Sequence, residues 1–86
     1  MRDLYSFRGL IVPADWDDDE RVTLVSLLTD DEGEYLVLAD RAGRELLRFI
    51  HERVEASGHL FRDDRGEQIL RVELFSLLSP ERGRRV

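Results

Sequence analysis

The chain has 86 residues, 42% hydrophobic and 37% charged, which is typical of one small domain with a modest core and a solvated surface. It contains no cysteine and only two histidines, so disulfide frameworks and thiolate metal sites are excluded. Acidic residues outnumber basic ones by 19 to 13, and the resulting net charge of -6 disfavours non-specific binding to nucleic acid.

No segment of the sequence predicts a membrane span or a secretion signal. No run approaches the roughly 20 apolar residues that cross a bilayer. The apolar patch near the N-terminus is too short for a signal peptide. We therefore expect a cytoplasmic protein without a membrane partner.

Three strands are predicted in the first half of the chain, over Ser6–Ala14, Arg21–Thr29 and Tyr35–Ala39. An acidic hairpin loop, DWDDDE at 15–20, joins the first two, and Pro13 before it indicates an edge position or the end of the strand. The turn sequence DDEG at 30–33 joins the second strand to the third. We expect Gly33 to supply the positive φ that a tight hairpin needs.

One amphipathic helix is predicted after the third strand. Asp40 has the short acceptor side chain of an N-cap. The helix is expected over Arg41–Arg53, with apolar residues at helical spacing at Ala42, Leu46, Leu47, Ile50 and Val54. Its opposite side is charged, so we expect that side to be solvated.

Two further strands follow the helix. The fourth, Arg53–Phe61, alternates strictly and turns one set of residues to the core: Val54, Ala56, Gly58 and Leu60. The fifth, Gln68–Leu78, follows the hairpin signal RDDRGE at 62–67 and turns a second set to the core: Leu70, Val72, Leu74 and Leu78. We expect one barrel domain over residues 1–79 and a mobile basic tail over residues 80–86.

The predicted order β-β-β-α-β-β is that of the OB-fold, a five-stranded Greek-key barrel whose helix lies between the third and fourth strands. The segments EYLVLADRAGRELL at 34–47 and RVEASGHLFRDDRGEQILRV at 53–72 resemble core and turn segments of small bacterial OB-fold domains. The resemblance implies an all-β fold with one short α-helix, but the matching positions do not identify a ligand. The rival is an SH3-like barrel, which places its helical turn between the last two strands.

The resemblance implies a ligand surface on the second and third strands, flanked by the hairpins at 15–20 and 62–67. Single-stranded nucleic acid binds such a surface by stacking bases on aromatic side chains within a positive groove. The candidate residues for this role are Trp16, Arg21, Arg62, Arg65 and Arg71. Trp16 is either a stacking platform or a lid over the barrel end, and the acidic hairpins oppose a phosphate backbone.

A second candidate surface is apolar. We expect five residues to lie on strand faces that point away from the core: Val25, Leu27, Phe61, Ile69 and Phe75. They would form a patch for a protein partner or a second copy, unless the N-terminal segment or the helix covers them. The expected function is therefore a non-enzymatic binding module for protein–protein interaction or self-association. Binding of single-stranded nucleic acid or an oligosaccharide is the alternative.

No catalytic or metal-binding constellation can be assembled from the sequence. The acidic run at 15–20 fails as a calcium-binding EF-hand loop, because Glu20 stands where glycine is needed and Ser26 where a bidentate acid is needed. A carboxylate pair such as Asp17 and Asp63 can be nominated, but both acids lie in polar turns, whereas general acid catalysis needs a carboxyl group in an apolar pocket or beside a charged neighbour. Neither His51 nor His59 is followed or preceded by another histidine or a cysteine at a spacing typical of a metal site. We expect no enzyme activity and no cofactor.

Overall fold

The computed structural model describes residues 4–78, which form one closed five-stranded β-barrel with a short helical segment. The elements are β1 (Tyr5–Trp16), β2 (Val22–Thr29), β3 (Glu34–Val37), α1 (Arg41–Glu45), a 3₁₀ turn (Leu46–Phe49), β4 (Arg53–Arg62) and β5 (Gln68–Leu77). This order confirms the predicted fold class. The predicted tail at 80–86 lies outside the described residues.

The barrel closes because β1 is shared between two neighbours. Tyr5 to Leu10 pair with β4, whereas Gly9 to Trp16 pair with β2. Gly9 pairs on both sides, and a Cβ atom there would collide with the backbone carbonyl of Leu28. The parallel pairing of β3 with β5 completes the closed spatial order β1-β2-β3-β5-β4, which is compatible with an OB-like fold.

The core fills the barrel interior and consists of aliphatic side chains from all five strands and the helical segment. The buried cluster is Ile11, Val25, Leu27, Val37, Leu46, Val54, Ala56, Leu70 and Val72. Leu46, which has no exposed surface, closes the barrel interior from the helical segment. The inward alternation predicted for β4 is confirmed, since Val54, Ala56 and Gly58 are all buried.

The alternation predicted for β5 is interrupted by a bulge. Leu74 was expected in the core but is 63% exposed. The register with β4 shifts between Ser57 and Gly58, whose partners are Leu74 and Val72. Glu73, which lies between those two partners, has no register partner on β4, so the side chains that follow it in β5 switch faces. Phe75 consequently points inward and packs on the core.

The helical segment is shorter than predicted, because residues 51 and 52 form backbone hydrogen bonds with Ile11 of β1. The N-cap is confirmed, since Asp40 Oδ1 accepts the Gly43 N–H at 3.0 Å. The expected end at Arg53 was wrong. His51 has a φ of 72° and donates its N–H to the Ile11 carbonyl, which turns the chain into β4. Within residues 4–78, no helical segment is long and apolar enough to cross a membrane.

All three hairpin loops use one arrangement. The first residue of each loop accepts the backbone N–H four positions later through a side-chain oxygen, at Asp17, Thr29 and Asp63. The residue three positions later has a positive φ, at Glu20 (65°), Glu32 (73°) and Gly66 (81°). The expectation that Gly33 supplies the positive φ of the second loop was wrong. Glu32 has the positive φ instead, because the loop begins at Thr29, whose hydroxyl accepts the Gly33 N–H.

Candidate binding groove on the barrel face

A groove of about 360 Å³ lies over the outer face of β2 and β3. Its lining residues are Pro13, Ala14, Ser26, Glu34, Leu36, Glu67 and Gln68. Pro13 and Ala14 of β1 flank one side, and Glu67 and Gln68 at the start of β5 flank the other. The volume falls in the range of about 300–1,000 Å³ that is usual for ligand pockets.

The β1 side of the groove depends on an irregularity in that strand. The register with β2 shifts between Pro13 and Asp15, which leaves Ala14 without an opposite residue. A proline lacks the N–H that a regular ladder needs, and bulges are among the few strand positions that tolerate it. Beyond Leu10, β1 has lost its ladder with β4, so the edge position predicted from Pro13 is confirmed.

Two carboxylates line the groove. Glu34 begins β3 and Glu67 directly precedes β5, and these two strands run parallel with Leu36 opposite Ile69. Both glutamates line the groove, and each lies two residues before its member of that pair. Among the described lining residues there is no cation. The adjoining loops add further acids, at Asp17, Asp18, Asp19, Glu20, Asp31, Glu32, Asp63 and Asp64.

A buried hydroxyl also lines the groove. Ser26 is only 3% exposed. Its hydroxyl has no hydrogen-bond partner among residues 4–78. The other buried hydroxyl, that of Thr29, bonds to Asp31 and to the Gly33 N–H. Of the two buried hydroxyls, that of Ser26 is therefore the one available to a ligand. Leaving it without a partner costs about 1–3 kcal/mol.

An apolar row continues from the groove across the outer surface. Ser26 pairs with Leu36, Leu36 with Ile69, and Ile69 with Phe61, so these side chains share the outward face of four adjacent strands. Phe61 ends the row and is 45% exposed. It also lines a second depression of about 390 Å³, together with Leu38, His59, Leu60 and Arg71. We call Leu36, Ile69 and Phe61 the outer apolar row.

The five-residue apolar patch predicted from the sequence does not form. Val25 and Leu27 are 2% and 0% exposed and lie inside the barrel, so their assignment to an outer face was wrong. Phe75 also points inward, where its ring lies 5.8 Å from that of Phe49. Ile69 points outward but is 5% exposed, because its neighbours cover it. Phe61 alone has the exposure that the prediction gave to all five.

The predicted stacking residue is exposed, but the predicted arginines do not form a positive groove with it. Trp16 is 53% exposed at the end of β1 and does not close the barrel as a lid. Arg62 Nη1 donates to the Gly66 carbonyl at 2.7 Å, within its own hairpin. Arg71 Nη2 lies 3.5 Å from Glu73 Oε2. Arg21 and Arg65 are exposed and, like the others, do not line the groove.

Carboxylates in the turns hold the backbone in place. The N–H groups of Glu67 and Arg65 lower the pKa of Asp63 below its ordinary 3.8. A bidentate pair with Arg53, at 2.9 Å for both contacts, lowers the pKa of Asp30. Asp17 accepts the backbone N–H groups of its own loop in the same way as Asp63. These roles are structural.

No metal centre is formed by the described residues, since residues 4–78 contain no group of three potential ligands. The nominated Asp17 and Asp63 each serve a separate hairpin. His59 Nε2 lies 3.5 Å from Glu73 Oε2, and His51 occupies the turn into β4.

Sequence reasoning missed the groove, although one signal pointed to it. The motif D-D-x-G-E occurs twice, at 30–34 and 63–67, and its final glutamates are the two groove carboxylates. The chain matches no protein-family model and no curated protein, so the barrel and its groove are the basis for assigning a function.

Proposed function

We propose that this protein is a non-enzymatic, OB-like binding module that engages a protein, either another chain or a second copy, on the outer face of β2, β3 and β5. The observation that carries the proposal is the exposed ring of Phe61 at the end of the outer apolar row, whose Leu36 lines the groove and whose Ile69 is covered by its neighbours. Exposed apolar surface beside a polar rim is typical of protein interfaces.

The exposed part of Phe61 is large enough to anchor a partner. A phenylalanine 45% exposed leaves about 90 Å² of apolar surface to bury. At about 25 cal/mol per Å² this contributes about 2 kcal/mol, the magnitude of an interface hot spot. The neighbouring depression lined by Leu38 and Leu60 offers apolar contacts beside the ring.

Single-stranded nucleic acid is the second candidate, because Trp16 is exposed at the end of β1. A base stacked on an aromatic side chain contributes about 1–3 kcal/mol. The groove carboxylates Glu34 and Glu67 repel a phosphate backbone, so this candidate ranks below protein binding. We further propose a relationship to small bacterial OB-fold domains and a cytoplasmic location, both on the basis of sequence.

The test is the solution mass by sedimentation, at low and moderate salt, with and without a mixed-sequence single-stranded oligonucleotide. A dimer that is insensitive to salt and ignores the oligonucleotide supports protein binding by self-association. Phe61→Ala should abolish that dimer, whereas Leu74→Ala is the matched control, because Leu74 is 63% exposed and lies off the row. A monomer that binds the oligonucleotide, and loses binding with Trp16→Ala and with added salt, supports the second candidate.

A further inference from the structure

We propose that the groove binds a basic polypeptide segment of the partner, with an arginine or lysine side chain placed between Glu34 and Glu67. This inference rests on the proposed protein-binding function and specifies the chemistry of the segment that is recognised. It is carried by two independent observations, the charge of the groove and the unpartnered hydroxyl at its floor.

The charge of the groove selects a cation. Glu34 and Glu67 both line it, and no described lining residue compensates them. Two of the predicted arginines are held elsewhere, Arg62 by its own hairpin and Arg71 by Glu73. Each ion pair at a partly exposed site changes affinity by up to about fivefold. A guanidinium or ammonium group therefore binds more tightly in this position, whereas a phosphate or carboxylate is repelled.

The hydroxyl of Ser26 supplies the polar contact. It is nine-tenths or more buried, lines the groove between β1 and β3, and has no partner among the described residues. A hydroxyl both donates and accepts, so it suits a backbone N–H or C=O of a bound segment. A folded protein gains nothing from burying such a group unless a ligand or an ordered water completes its hydrogen bonding.

The apolar surroundings favour a polypeptide over a small polyamine. Leu36 lines the groove and begins the outer apolar row, so apolar side chains that flank the cation contact Leu36 and, at the far end of the row, the exposed ring of Phe61. A free polyamine offers positive charge but few groups that would bury this surface. A protein segment offers both.

The experiment is an NMR titration of the ¹⁵N-labelled chain with three capped heptapeptides of equal length. The first has the sequence Val-Arg-Leu-Arg-Val-Arg-Leu, and the other two carry glutamine or glutamate at the arginine positions. We expect the arginine peptide to bind about five- to 25-fold more tightly than the glutamine peptide, because each of the two groove carboxylates contributes up to about fivefold, with the glutamate peptide weakest. The largest amide shifts should occur at Ser26 and Leu36.

Matched variants assign the binding to the groove. E34Q/E67Q should weaken the arginine peptide by about fivefold or more, because it removes both groove charges and keeps the side-chain shapes. The control E45Q/E52Q removes two exposed charges outside the groove and should change binding by less than about twofold. Ser26→Ala should weaken binding by about two- to tenfold without lowering the unfolding temperature.

Three outcomes overturn the inference. One is equal binding of the arginine and glutamine peptides, or equal losses in the two double variants, since overall charge would then explain the data. Another is displacement of the peptide by spermidine at comparable concentration, which would make the ligand a free polyamine. The third is the absence of binding by any peptide. None of these changes the sedimentation result for Phe61→Ala, which decides the proposed function separately.

Discussion

Two hairpin loops place a glutamate where the backbone favours glycine, and replacing each glutamate should stabilise the protein. Glu20 and Glu32 have φ values of 65° and 73°. A residue with a Cβ atom pays roughly 1–2 kcal/mol in the left-handed region. Glycine avoids that cost but loses about 0.5–1 kcal/mol through the entropy of the unfolded chain. The net gain expected for Glu20→Gly or Glu32→Gly is therefore about 0.5–1 kcal/mol.

The third loop supplies the reciprocal change. Gly66 has a φ of 81°, and a Cβ atom there would meet no other atom within 4 Å. Gly66→Ala therefore changes only the backbone energy and should destabilise the protein by about 1 kcal/mol. Because the three loops share one hydrogen-bond arrangement, the three substitutions test one physical cause with opposite signs.

Urea unfolding and thermal melting measure these differences, and for a domain of this size about 1 kcal/mol shifts the melting temperature by about 4–8 °C. Each glycine variant needs a glutamine control, since Glu20→Gln and Glu32→Gln remove the same charge but keep the unfavourable φ. If the glutamine variants gain as much as the glycine variants, relief of charge repulsion is the cause and the backbone argument fails. Gly66→Ala without loss would refute it from the other side.

Three further predictions concern acid, packing and the core. The ionised form of Asp63 stabilises the fold above the ordinary pKa of 3.8, and this contribution is lost as the pH falls through the lowered pKa. The urea midpoint of Asp63→Asn should therefore depend less on pH between about pH 5 and pH 2 than that of the unaltered protein. Gly58→Ala should cost about 1–3 kcal/mol in chemical unfolding, because its Cβ atom would collide with the Arg71 carbonyl. Leu46→Ala should lower the free energy of unfolding by about 2–5 kcal/mol. Leu74→Ala, at a site 63% exposed, should change it by no more than about 0.5 kcal/mol. Equal losses in the two variants would contradict the assigned core.

The fold was predictable because its local signals agree. Strict alternation in β4 and the N-cap at Asp40 both depend on neighbours in sequence, and both are present in the structure. The bulge that exposes Leu74 depends on pairing with β4 across the hairpin, so the sequence of β5 alone does not reveal it. The early end of the helical segment has a similar origin, since His51 bonds to Ile11 on a distant strand.

The site was less predictable, because it is assembled by barrel closure. β2 has apolar residues on both faces, and only the completed barrel decides that Val25 and Leu27 point inward. Glu34 and Glu67 come together through the parallel pairing of β3 with β5, which joins segments on either side of the helix. The exposure of Trp16 likewise could not be predicted, because the sequence is compatible with both an exposed stacking platform and a lid over the barrel end.

The sharing of β1 between two neighbours has a consequence for the order of folding. Its first half pairs with β4, so that Ser6 contacts Glu55 across 49 positions of sequence. β2 and β3 can form hairpins locally, but the N-terminal half of β1 has no strand partner until β4 is available. On a ribosome this half would wait for most of the chain to be synthesised, and in refolding it makes closure a late, long-range event. Folding should therefore be slower than for a helical domain of equal size.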